Sequence, residues 1–391
     1  MSVQTAASSR KDWKWVTLAD VAKVVTGNTP PTADAQNYGA AIPFVKPTEL
    51  IDRGIRFAPA GLANQALGRA RVVPAGAVLV SCIGNLGKTG LAKVPVAFNQ
   101  QINAVVFNEN VVPEFGFYYA QTLKTWLYGE SSATTLPIVN KGKFQQAPFP
   151  LAPIDQQRQI VAEIEKQFSR LDEAVANLKR VKANLKRYVK STIESLTNPE
   201  TFDECVRGTI ADVAFSLDNM RKPVNKAERA TRPGNIPYLG ANGQTGWIDA
   251  HLFDEEIVLV VEDETFVGRT APFCYYFAKK CWVNNHTHVL RAKPEVVSPK
   301  YLNLALSYYP FIPLTTGSTG RRKLTKGALM AAPIVVPSLL QQMQIVSEVD
   351  RRLSLTSGVL VEVEKNLQRS EKLRCSVLAS AFGGKSTQMD H

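Results

Sequence analysis

Two nearly identical hexapeptides constrain the fold of this chain more than any other feature of its sequence. Residues 156–161 read QQRQIV, and residues 341–346 read QQMQIV. The tetrapeptide ADVA also occurs twice, at 19–22 and again at 211–214. Sequence features that recur in the same order indicate an internal duplication, in which each copy is one structural unit. The chain is therefore predicted to contain two copies of one architecture.

The segments between these matches share their pattern more than their letters. LVSCIGNLGKTG (79–90) corresponds to VVEDETFVGRTA (260–271), and FNQQIN (98–103) corresponds to VNNHTH (283–288). The spacing between corresponding segments drifts along the chain, as insertions in loops would cause. The predicted domains are a first variable domain over 1–152 that starts with a loose tail of about 12 residues, a long helix over 153–200, a second variable domain over 201–336, and a second helix with a C-terminal tail over 337–391.

Each hexapeptide opens a long segment with the apolar periodicity of an amphipathic helix. Residues 155–196 contain neither Pro nor Gly, and their apolar residues recur mostly at steps of three and four. The first helix is predicted to begin at an Asp155 N-cap and to stop at Asn198-Pro199, whereas Gly358 interrupts the stripe of the second helix, which ends at Gly383-Gly384. Such long apolar stripes are not stable alone in water, so we expect the helices to pack antiparallel as a coiled coil. The residues predicted to form this packing are Ile160, Ile164, Phe168, Leu171, Val175, Leu178, Leu185, Ile345, Val349, Leu353, Leu360, Val363 and Leu367, and the second stripe continues through Leu373 and Val377.

Both variable domains are predicted to contain short strands and short helices. AVLVSCI (77–83) and EIVLVVE (256–262) are typical of buried strands. EFGFYYAQTLKTWL (114–127) and PKYLNLALSYY (299–309) are typical of short helices. The predicted fold class is therefore α/β (α+β): two mixed domains separated by two long antiparallel helices, arranged as a pseudo-two-fold tandem repeat.

The charge of the chain indicates a polyanionic partner. With 46 Lys and Arg against 34 Asp and Glu, the formal net charge is +12, which favours nucleic acid. The segment LKRVKANLKRYVK (178–190) is strongly basic and is either a solvated helix face or a face near phosphates or an acidic partner. The N-terminus lacks an apolar signal core and no apolar run is long enough for a membrane span, so a cytoplasmic protein without a membrane partner is expected. The five cysteines, including Cys274 and Cys281, are expected to be reduced.

Polar loops at corresponding positions supply the residues that could contact DNA. GKT (87–89) and GRT (268–270) offer backbone N–H groups, a cation and a hydroxyl, which suit a phosphate. The amides of FNQQIN and VNNHTH can form paired hydrogen bonds with adenine, although a role in a turn or a buried network competes for each residue. NKGK (140–143) and TGRRKLTKG (319–327) are predicted basic loops before the helices. The DNA-binding candidates are Lys46, Asn85, Lys88, Thr89, Asn99, Gln100, Gln101, Lys141, Lys143, Asn242, Gln244, Arg269, Thr270, Asn284, Asn285, His286, Arg321, Arg322, Lys323 and Lys326.

Patterns for catalysis and for metal binding are incomplete in this sequence. GNLGKTG (84–90) is similar to a P-loop, but Cys82 occupies the position where that motif needs its first glycine. His286 and His288 are predicted to alternate on a strand and share a face, yet spacing places no further ligand beside them, so no metal site is predicted. EDE (262–264) could suggest a nuclease, but the corresponding positions of the first copy carry no acid. The sequence therefore predicts neither ATP hydrolysis nor a metal site.

The repeated pattern resembles the specificity subunits of type I restriction–modification systems. The resemblance lies in FPLAPIDQQRQIVAEIEKQFSRLDEAVANL (149–178), in its weaker copy PIVVPSLLQQMQIVSEVDRRL (333–353), and in the helix end LKRYVKSTIESL (185–196). The domain openings WKWVTLADVAKVVTGNTP (13–30) and VRGTIADVAF (206–215) match as well. The resemblance therefore covers nearly the whole chain.

This resemblance implies that the variable domains are target recognition domains, each of which reads one half of a bipartite, asymmetric DNA sequence, mostly in the major groove. It implies that the paired helices set the spacing between the half-sites. Two modification subunits would dock on the helices and recognition domains, bind S-adenosylmethionine and flip the adenines to be methylated. Restriction subunits that use ATP and Mg²⁺ would join them, while this chain would bind no cofactor and would not be an enzyme itself.

Two other classes of protein stay open at this point. A stand-alone DNA-binding regulator built from a duplicated module would need no modification partner. A metal-dependent nuclease would use Glu262, Asp263 and Glu264, and it would cleave DNA as a pure chain.

Overall fold

The fold comes from a computed structural model, which describes residues 12–51, 54–59, 61–132, 136–202, 204–263, 266–317 and 322–383. These residues cluster into two compact units. The first unit contains 12–178 together with 365–383, and the second contains 179–364. Each unit therefore combines one variable domain with a portion of both long helices.

The first unit is built from short strands and short helices. Its strands in chain order are β1 (Lys14–Thr17), β2 (Ala22–Thr26), β3 (Tyr38–Gly39), β4 (Phe44–Val45), β5 (Leu50–Ile51), β6 (Gly54–Ile55), β7 (Gly61–Leu62), β8 (Val72–Val73), β9 (Val78–Ser81), β10 (Thr89–Leu91), β11 (Val96–Phe98), β12 (Ile102–Phe107) and β13 (Pro148–Leu151). Its short helices are α1 (Leu18–Val21), α2 (Pro113–Ala120), α3 (Lys124–Gly129) and α4 (Lys141–Gln145).

Two sheets organise the first unit. An antiparallel sheet has the strand order β10-β9-β12-β2, and a mixed sheet has the order β4-β11-β8 with β4 parallel to β11. Every residue of β9 is buried, as expected of a central strand covered on both faces. A further pairing joins β1 to β13, which brings the start of the domain beside its last strand.

The second unit repeats the main elements of the first but has fewer short strands. Its strands are β14 (Cys205–Thr209), β15 (Ala214–Ser216), β16 (Ile236–Gly240), β17 (Gly243–Ile248), β18 (Ile257–Val261), β19 (Cys274–Phe277), β20 (Trp282–Val283), β21 (Thr287–Ala292) and β22 (Pro333–Pro337). The long helix that precedes them is α5 (Ile154–Leu196), the short helices are α6 (Ile210–Val213), α7 (Lys226–Ala230), α8 (Pro299–Ser307) and α9 (Lys326–Ala331), and the last long helix is α10 (Leu339–Phe382).

The antiparallel sheet of the second unit has the same strand order as its counterpart in the first, whereas the mixed sheets differ in their central strand, which is β11 in the first unit and β16 in the second. The antiparallel sheet has the order β15-β21-β18-β19, the mixed sheet has the order β17-β16-β20 with β16 parallel to β20, and β14 pairs with β22. The prediction of two mixed domains built on one plan is therefore confirmed.

The repeated ADVA sequence forms the same local structure in each unit. Asp20 accepts hydrogen bonds from the Thr17 backbone N–H and hydroxyl at 2.7 and 2.8 Å, and Asp212 accepts both from Thr209 at 2.7 Å. These capping boxes start α1 and α6. The backbone and side-chain hydrogen bonds from the threonine lower the pKa of each aspartate below its ordinary value.

The two long helices have 43 and 44 residues, or about 65 Å each. Two predicted details of their ends and stripes are wrong. Helix α5 begins at Ile154, so Asp155 lies in the first turn and pairs with Arg158 at 3.3 Å instead of capping the helix. Helix α10 continues through Gly358, which is exposed, and the packed side passes it through the buried Thr356 and Val363, so Gly358 does not interrupt the stripe.

In the first unit, the beginning of α5 packs with the end of α10. Ile160, Ile164 and Phe168 share one buried cluster with Leu378 and Phe382. Further along, the Arg374 guanidinium lies 4.5 Å from the centre of the Phe168 ring and pairs with Asp172. The segments therefore run antiparallel, as predicted.

In the second unit, the end of α5 packs with the beginning of α10. Ile193 shares a buried cluster with Ile345 and Val349, and the Lys182 ammonium lies 2.7 Å from the Glu364 carboxylate. This pairing is antiparallel as well.

Of the other predicted packing residues of the two helices, Val363 is buried and the half-buried ones are Leu171, Val175, Leu178, Leu185, Leu353, Leu360 and Leu367.

The second apolar stripe does not include Leu373. Its side chain is 44% exposed, and the helix instead buries Ser370, Leu378 and Ala381. All five cysteines are free, and three of them are buried. None of the helices described is both long and apolar enough to span a lipid bilayer.

Candidate nucleic-acid interface

A short backbone framework brings the polar loops of the first unit together. The Cys82 N–H donates to the Gln101 carbonyl at 2.8 Å, and the Val139 N–H donates to the Cys82 carbonyl at 2.9 Å. The Asn99 N–H donates to the Val45 carbonyl at 3.0 Å. These bonds join the end of β9, the turn before β12, the segment before α4 and the end of β4. The segments so joined carry a first polar surface that consists of Lys46, Asn85, Lys88, Gln100, Gln101 and Lys141.

The second unit contains the same framework. The Glu262 N–H donates to the His286 carbonyl at 3.1 Å, and the Leu324 N–H donates to the Glu262 carbonyl at 2.8 Å. The Asn284 N–H donates to the Leu239 carbonyl at 3.0 Å. The segments joined in this way carry a second polar surface that consists of Asn242, Gln244, Thr270, Asn285, His286, Lys323 and Lys326.

The turn before β12 and the turn before β21 are closed by matching asparagines. The Asn99 carboxamide oxygen accepts from the Gln101 N–H at 3.2 Å, and the Asn284 oxygen accepts from the His286 N–H at 2.9 Å. Asn99 is buried and Asn284 half-buried, while the next residue of each turn is exposed. The asparagines shape the turns by side-chain to backbone bonds. Burial removes Asn99 from the side chains that DNA could reach.

The glycine-rich turn after β9 presents fewer groups than the sequence predicts. The Ser81 hydroxyl donates to the Asn85 carbonyl at 2.6 Å and accepts from the Lys88 N–H at 2.9 Å. Gly87 has a φ of 79°, which suits glycine. Thr89 is fully buried in β10, so its hydroxyl is not accessible to a phosphate. Asn85 is exposed and Lys88 half-buried.

The corresponding turn of the second unit is held by its arginine. The Arg269 guanidinium donates to the Asn242 side-chain oxygen at 3.0 Å and to the Pro272 carbonyl at 2.9 Å, and it lies 5.8 Å from the Phe273 ring centre. Arg269 is half-buried, while Thr270 is exposed. The guanidinium therefore has a structural role in this loop that the sequence does not reveal.

The predicted basic loops are partly helical. Lys141 and Lys143 lie in α4, and Lys326 lies in α9. The side chain of Asn140 accepts from the Lys143 N–H at 2.9 Å, and that of Thr325 caps α9 in the same way. Asparagine and threonine are favoured N-cap residues, so Asn140 and Thr325 are the sequence signals that could have revealed these two helices.

The cations of these segments differ in how they are held. Lys143 donates to the Glu130 carbonyl at 2.9 Å and lies 3.7 Å from its carboxylate. Lys323 lies 3.1 Å from the Glu262 carboxylate. Arg322 is half-buried, and Arg321 lies outside the described residues.

Several polar residues of the first unit lie beside the turn before β12 and were not predicted. The Thr29 hydroxyl donates to the Gln100 side-chain oxygen at 2.6 Å. The Asn28 side chain accepts from the Arg71 N–H at 2.8 Å, and the Arg71 guanidinium donates to the Thr26 carbonyl at 2.6 Å. The sequence TGNTP at a strand end is a turn signal that could have indicated Asn28 and Thr29.

A buried charge network lies under the turn of the second unit. The Arg221 guanidinium donates to Glu262 at 2.5 Å and lies 3.4 Å from Asp218. His288 is 1% exposed, and its ring nitrogens lie 2.6 Å from Asp218 and 2.8 Å from the Leu324 carbonyl. Arg221 also donates to the backbone carbonyl of Thr287 at 2.8 Å, so the network fixes the backbone of the turn.

The network keeps its carboxylates ionised. Burial acts to raise the pKa of Asp218 and of Glu262, but hydrogen bonds and charges outweigh it. For Asp218 these come mainly from His288, and for Glu262 from Arg221, His288 and Lys323. Both pKa values therefore lie below their ordinary values. Carboxylates neutralised in this way are already occupied by protein cations.

Glu262 and Asp263, two of the three acids of EDE (262–264), form hydrogen bonds with other side chains. Among the described residues, no three His, Cys, Asp or Glu side chains are grouped so that they could hold a metal ion. Asp263 lies 2.7 Å from His286, and Glu264 lies outside the described residues. His286 precedes β21 and is exposed, whereas His288 is buried, so the prediction that they share one face of a strand is wrong.

Two copies of one framework, each with a polar surface of different side chains and each joined to a long helix, define a duplicated recognition protein. Comparison of the sequence with family profiles identifies the class more closely. The chain belongs to the family described as type I restriction modification DNA specificity domain, whose profile matches residues 10–187 and 203–365.

Individual relatives support this assignment. A putative type I restriction enzyme specificity subunit of Haemophilus influenzae, S.HindORF215P, is 37% identical over 149 residues, which are 37% of each chain. The MjaIX specificity subunit of Methanocaldococcus jannaschii is 25% identical over 181 residues, or 44% of this chain and 40% of that one. The matched regions thus span less than half the length of these two relatives.

A solved structure has the same fold along nearly the whole chain. It comes from a study of complex assembly and conformational transition of the type I R-M system. It is 19% identical, covers 96% of this chain and 98% of its own, and has a TM-score of 0.70.

Proposed function

We propose that this chain is the DNA-recognition subunit of a type I restriction–modification complex, and that it performs no catalysis itself. Each polar surface reads one half of a bipartite, asymmetric sequence in double-stranded DNA. The observation that supports this proposal is the pairing of one backbone framework with two different sets of side chains. Equal frameworks would approach the two half-sites alike, and different amides and cations would select different bases.

Basic and amide groups have separate parts in this proposal. The exposed lysines, including Lys46, Lys141 and Lys326, contact phosphates and supply affinity that weakens with salt. Gln100 in the first surface and Asn285 in the second are exposed at the tips of their turns and contact base edges. The net charge of +12 favours binding of a polyanionic ligand such as DNA.

The partner subunits supply the chemistry. Two modification subunits dock on the paired helices and the recognition domains and bind S-adenosylmethionine, and restriction subunits bring ATP and Mg²⁺. The complex acts in the cytoplasm, where host DNA is accessible. The paired helices set the number of base pairs between the half-sites.

Mapping methylated adenines across the host genome, with and without this gene, tests the proposal. Loss of one bipartite motif on deletion is the expected result, and it also identifies the half-sites. An unchanged methylome would contradict the proposal if the modification subunits are shown to be expressed. A stand-alone regulator would instead bind its site as a purified chain, with no gain in affinity when a modification subunit is added.

The proposed role of the helices has its own test. Removing seven residues from α5 and seven facing residues from α10 keeps the antiparallel pairing in phase. The spacing of methylated half-sites should then change while their letters stay the same. Unchanged spacing in an active complex would contradict a role of the helices as a ruler.

A further inference from the structure

A fully buried glutamine joins α5 to the recognition domain of the first unit. The Gln157 side-chain oxygen accepts a hydrogen bond from the Val112 N–H at 2.8 Å. Its side-chain NH₂ group donates to the Asn110 carbonyl at 2.8 Å and to the Ala152 carbonyl at 2.7 Å. One side chain thus ties the first turn of α5 to the end of β13 and to the segment that starts α2.

The second unit contains the same joint. The Gln342 side-chain oxygen accepts from the Ser298 N–H at 2.8 Å, and its NH₂ group donates to the carbonyls of Val296 and Pro337, both at 2.9 Å. Ser298 is the N-cap residue of α8, and Val112 is the N-cap residue of α2. Both glutamines are 0% exposed. These are the second glutamines of QQRQIV and QQMQIV, so the joint accounts for the glutamine at this position of both hexapeptides.

The chemistry of the joint requires glutamine. Each site presents one backbone N–H and two backbone carbonyls to the side chain, and a carboxamide supplies one acceptor and two donors. Glutamate would have no donor at neutral pH, methionine would have neither group, and asparagine would be one methylene shorter. The residues two positions further on, Gln159 and Gln344, are exposed and have no such role.

We infer that Gln157 and Gln342 are positioning residues that determine how strictly the half-site spacing is read. Each fixes the direction in which a spacer helix leaves its own recognition domain, and it touches neither polar surface. This inference rests on the proposed function, because a spacing preference exists only if each domain reads a half-site. Loosening the joint should therefore change which spacings are accepted without changing the letters of either half-site.

The test uses the full chain in its host, with the genome as the DNA library. The double variant Gln157→Met and Gln342→Met keeps the size of the side chains and removes all six hydrogen bonds. The matched control is Gln159→Met with Gln344→Met, in the same hexapeptides. Methylated adenines are mapped for wild type, variant and control.

The variant is expected to methylate sites whose half-sites are one base pair closer or further apart than the wild-type sites. We expect the ratio of such sites to correctly spaced sites to rise about tenfold, the change that 1.4 kcal/mol of lost discrimination gives. The control should keep the wild-type ratio. An unchanged ratio in a variant that still methylates would overturn the inference, and so would loss of methylation at all spacings by a folded variant.

Amide hydrogen exchange separates this inference from the proposed function. In the purified variant, exchange should rise at least about tenfold at the Val112 and Ser298 amides, whose acceptor is removed. Exchange in the central strands β9 and β18 should not change. A wild-type methylome without a bipartite motif would contradict the proposed function. Unchanged exchange at the Val112 and Ser298 amides of the variant would instead show that the glutamines form no such joint.

Discussion

The two recognition domains use one backbone framework and stabilise it by different chemistry. In the first domain the position that joins three loops is Cys82, a buried thiol whose pKa burial raises to about 12, so it stays neutral. In the second domain this position is Glu262, whose charge is balanced by Arg221 and Lys323. The backbone hydrogen bonds are the same in both. The framework is thus independent of the side chains it carries, which lets two unlike surfaces develop on one fold.

The largest difference between the domains should appear when the charge network is broken. Replacing Arg221 with methionine removes the main partner of Glu262 and a second partner of Asp218, and both carboxylates stay buried, with side chains only 10% and 7% exposed. We expect a loss of about 3–5 kcal/mol in the unfolding free energy of the second unit. Denaturant titration followed by hydrogen exchange of peptides from each unit measures this loss.

A matched change in the first unit serves as the control. Arg71 is exposed and donates to one carbonyl near the turn. The variant Arg71→Met should cost about 1 kcal/mol or less. Equal losses of unfolding free energy for both arginines would mean that burial of Asp218 and Glu262 does not raise the cost of removing Arg221.

The next largest effect concerns the aromatic packing that closes the first unit. The Phe382 ring lies 5.2 Å from Phe115 and 5.3 Å from Tyr119, and it comes from the far end of the chain. The variant Phe382→Ala should destabilise the first unit by about 3 kcal/mol. Leu373→Ala, at an exposed position of the same helix, should change the unfolding midpoint very little. A larger loss of stability would mean that Leu373 packs in the apolar stripe, as the sequence predicted.

The contrast between Phe382 and Leu373 shows what periodicity can establish. Steps of three and four predicted both helices and most of their buried residues, because a packed helix buries one stripe. Leu373 lies six residues after Leu367, off the steps of three and four, and the packed side of α10 instead continues through Ser370 and Arg374. The periodicity also missed Gln157 and Gln342, because polar residues at a helix start look solvated unless their partners are known.

The polar surfaces were less predictable than the fold for a related reason. The loops matched between the two halves lie at equivalent places in the two frameworks. Whether a side chain points outward depends on single hydrogen bonds, as the buried Asn99 and the exposed Gln100 show. The Arg221 network was not predicted, because its members are distant in the sequence and share no pattern.

Lowering the pH should reduce the stability of the second unit more than that of the first. The pKa values of Asp218 and Glu262 lie below those of the unfolded chain, so the folded second unit binds fewer protons. Their contribution to stability is present above the unfolded pKa values, about 4, and is lost as the pH falls through the folded values. The second unit should therefore lose more unfolding free energy than the first between pH 7 and pH 3.

Two controls keep this measurement specific. The capping carboxylates of Asp20 and Asp212 occur once in each unit and cancel in the comparison. Asp249, Glu348 and Glu364 occur only in the second unit, and hydrogen bonds from arginine or lysine lower their pKa values as well. Their contribution is removed by Asp249→Asn, Glu348→Gln and Glu364→Gln. If the two units still lost the same free energy in acid, the network would not be the source of the difference.

The smallest expected difference tests the two glycine turns. Gly87 and Gly268 have φ values of 79° and 75°, so alanine at either position adopts a left-handed backbone at a cost of about 1–2 kcal/mol. A Cβ at Gly87 would also lie 3.1 Å from Lys124 backbone and side-chain atoms, whereas a Cβ at Gly268 meets open space. Gly87→Ala should therefore lower the unfolding midpoint more than Gly268→Ala at an unchanged denaturant slope. The reverse order would mean that the first turn can shift away from α3, and that the framework is less rigid there than its hydrogen bonds imply.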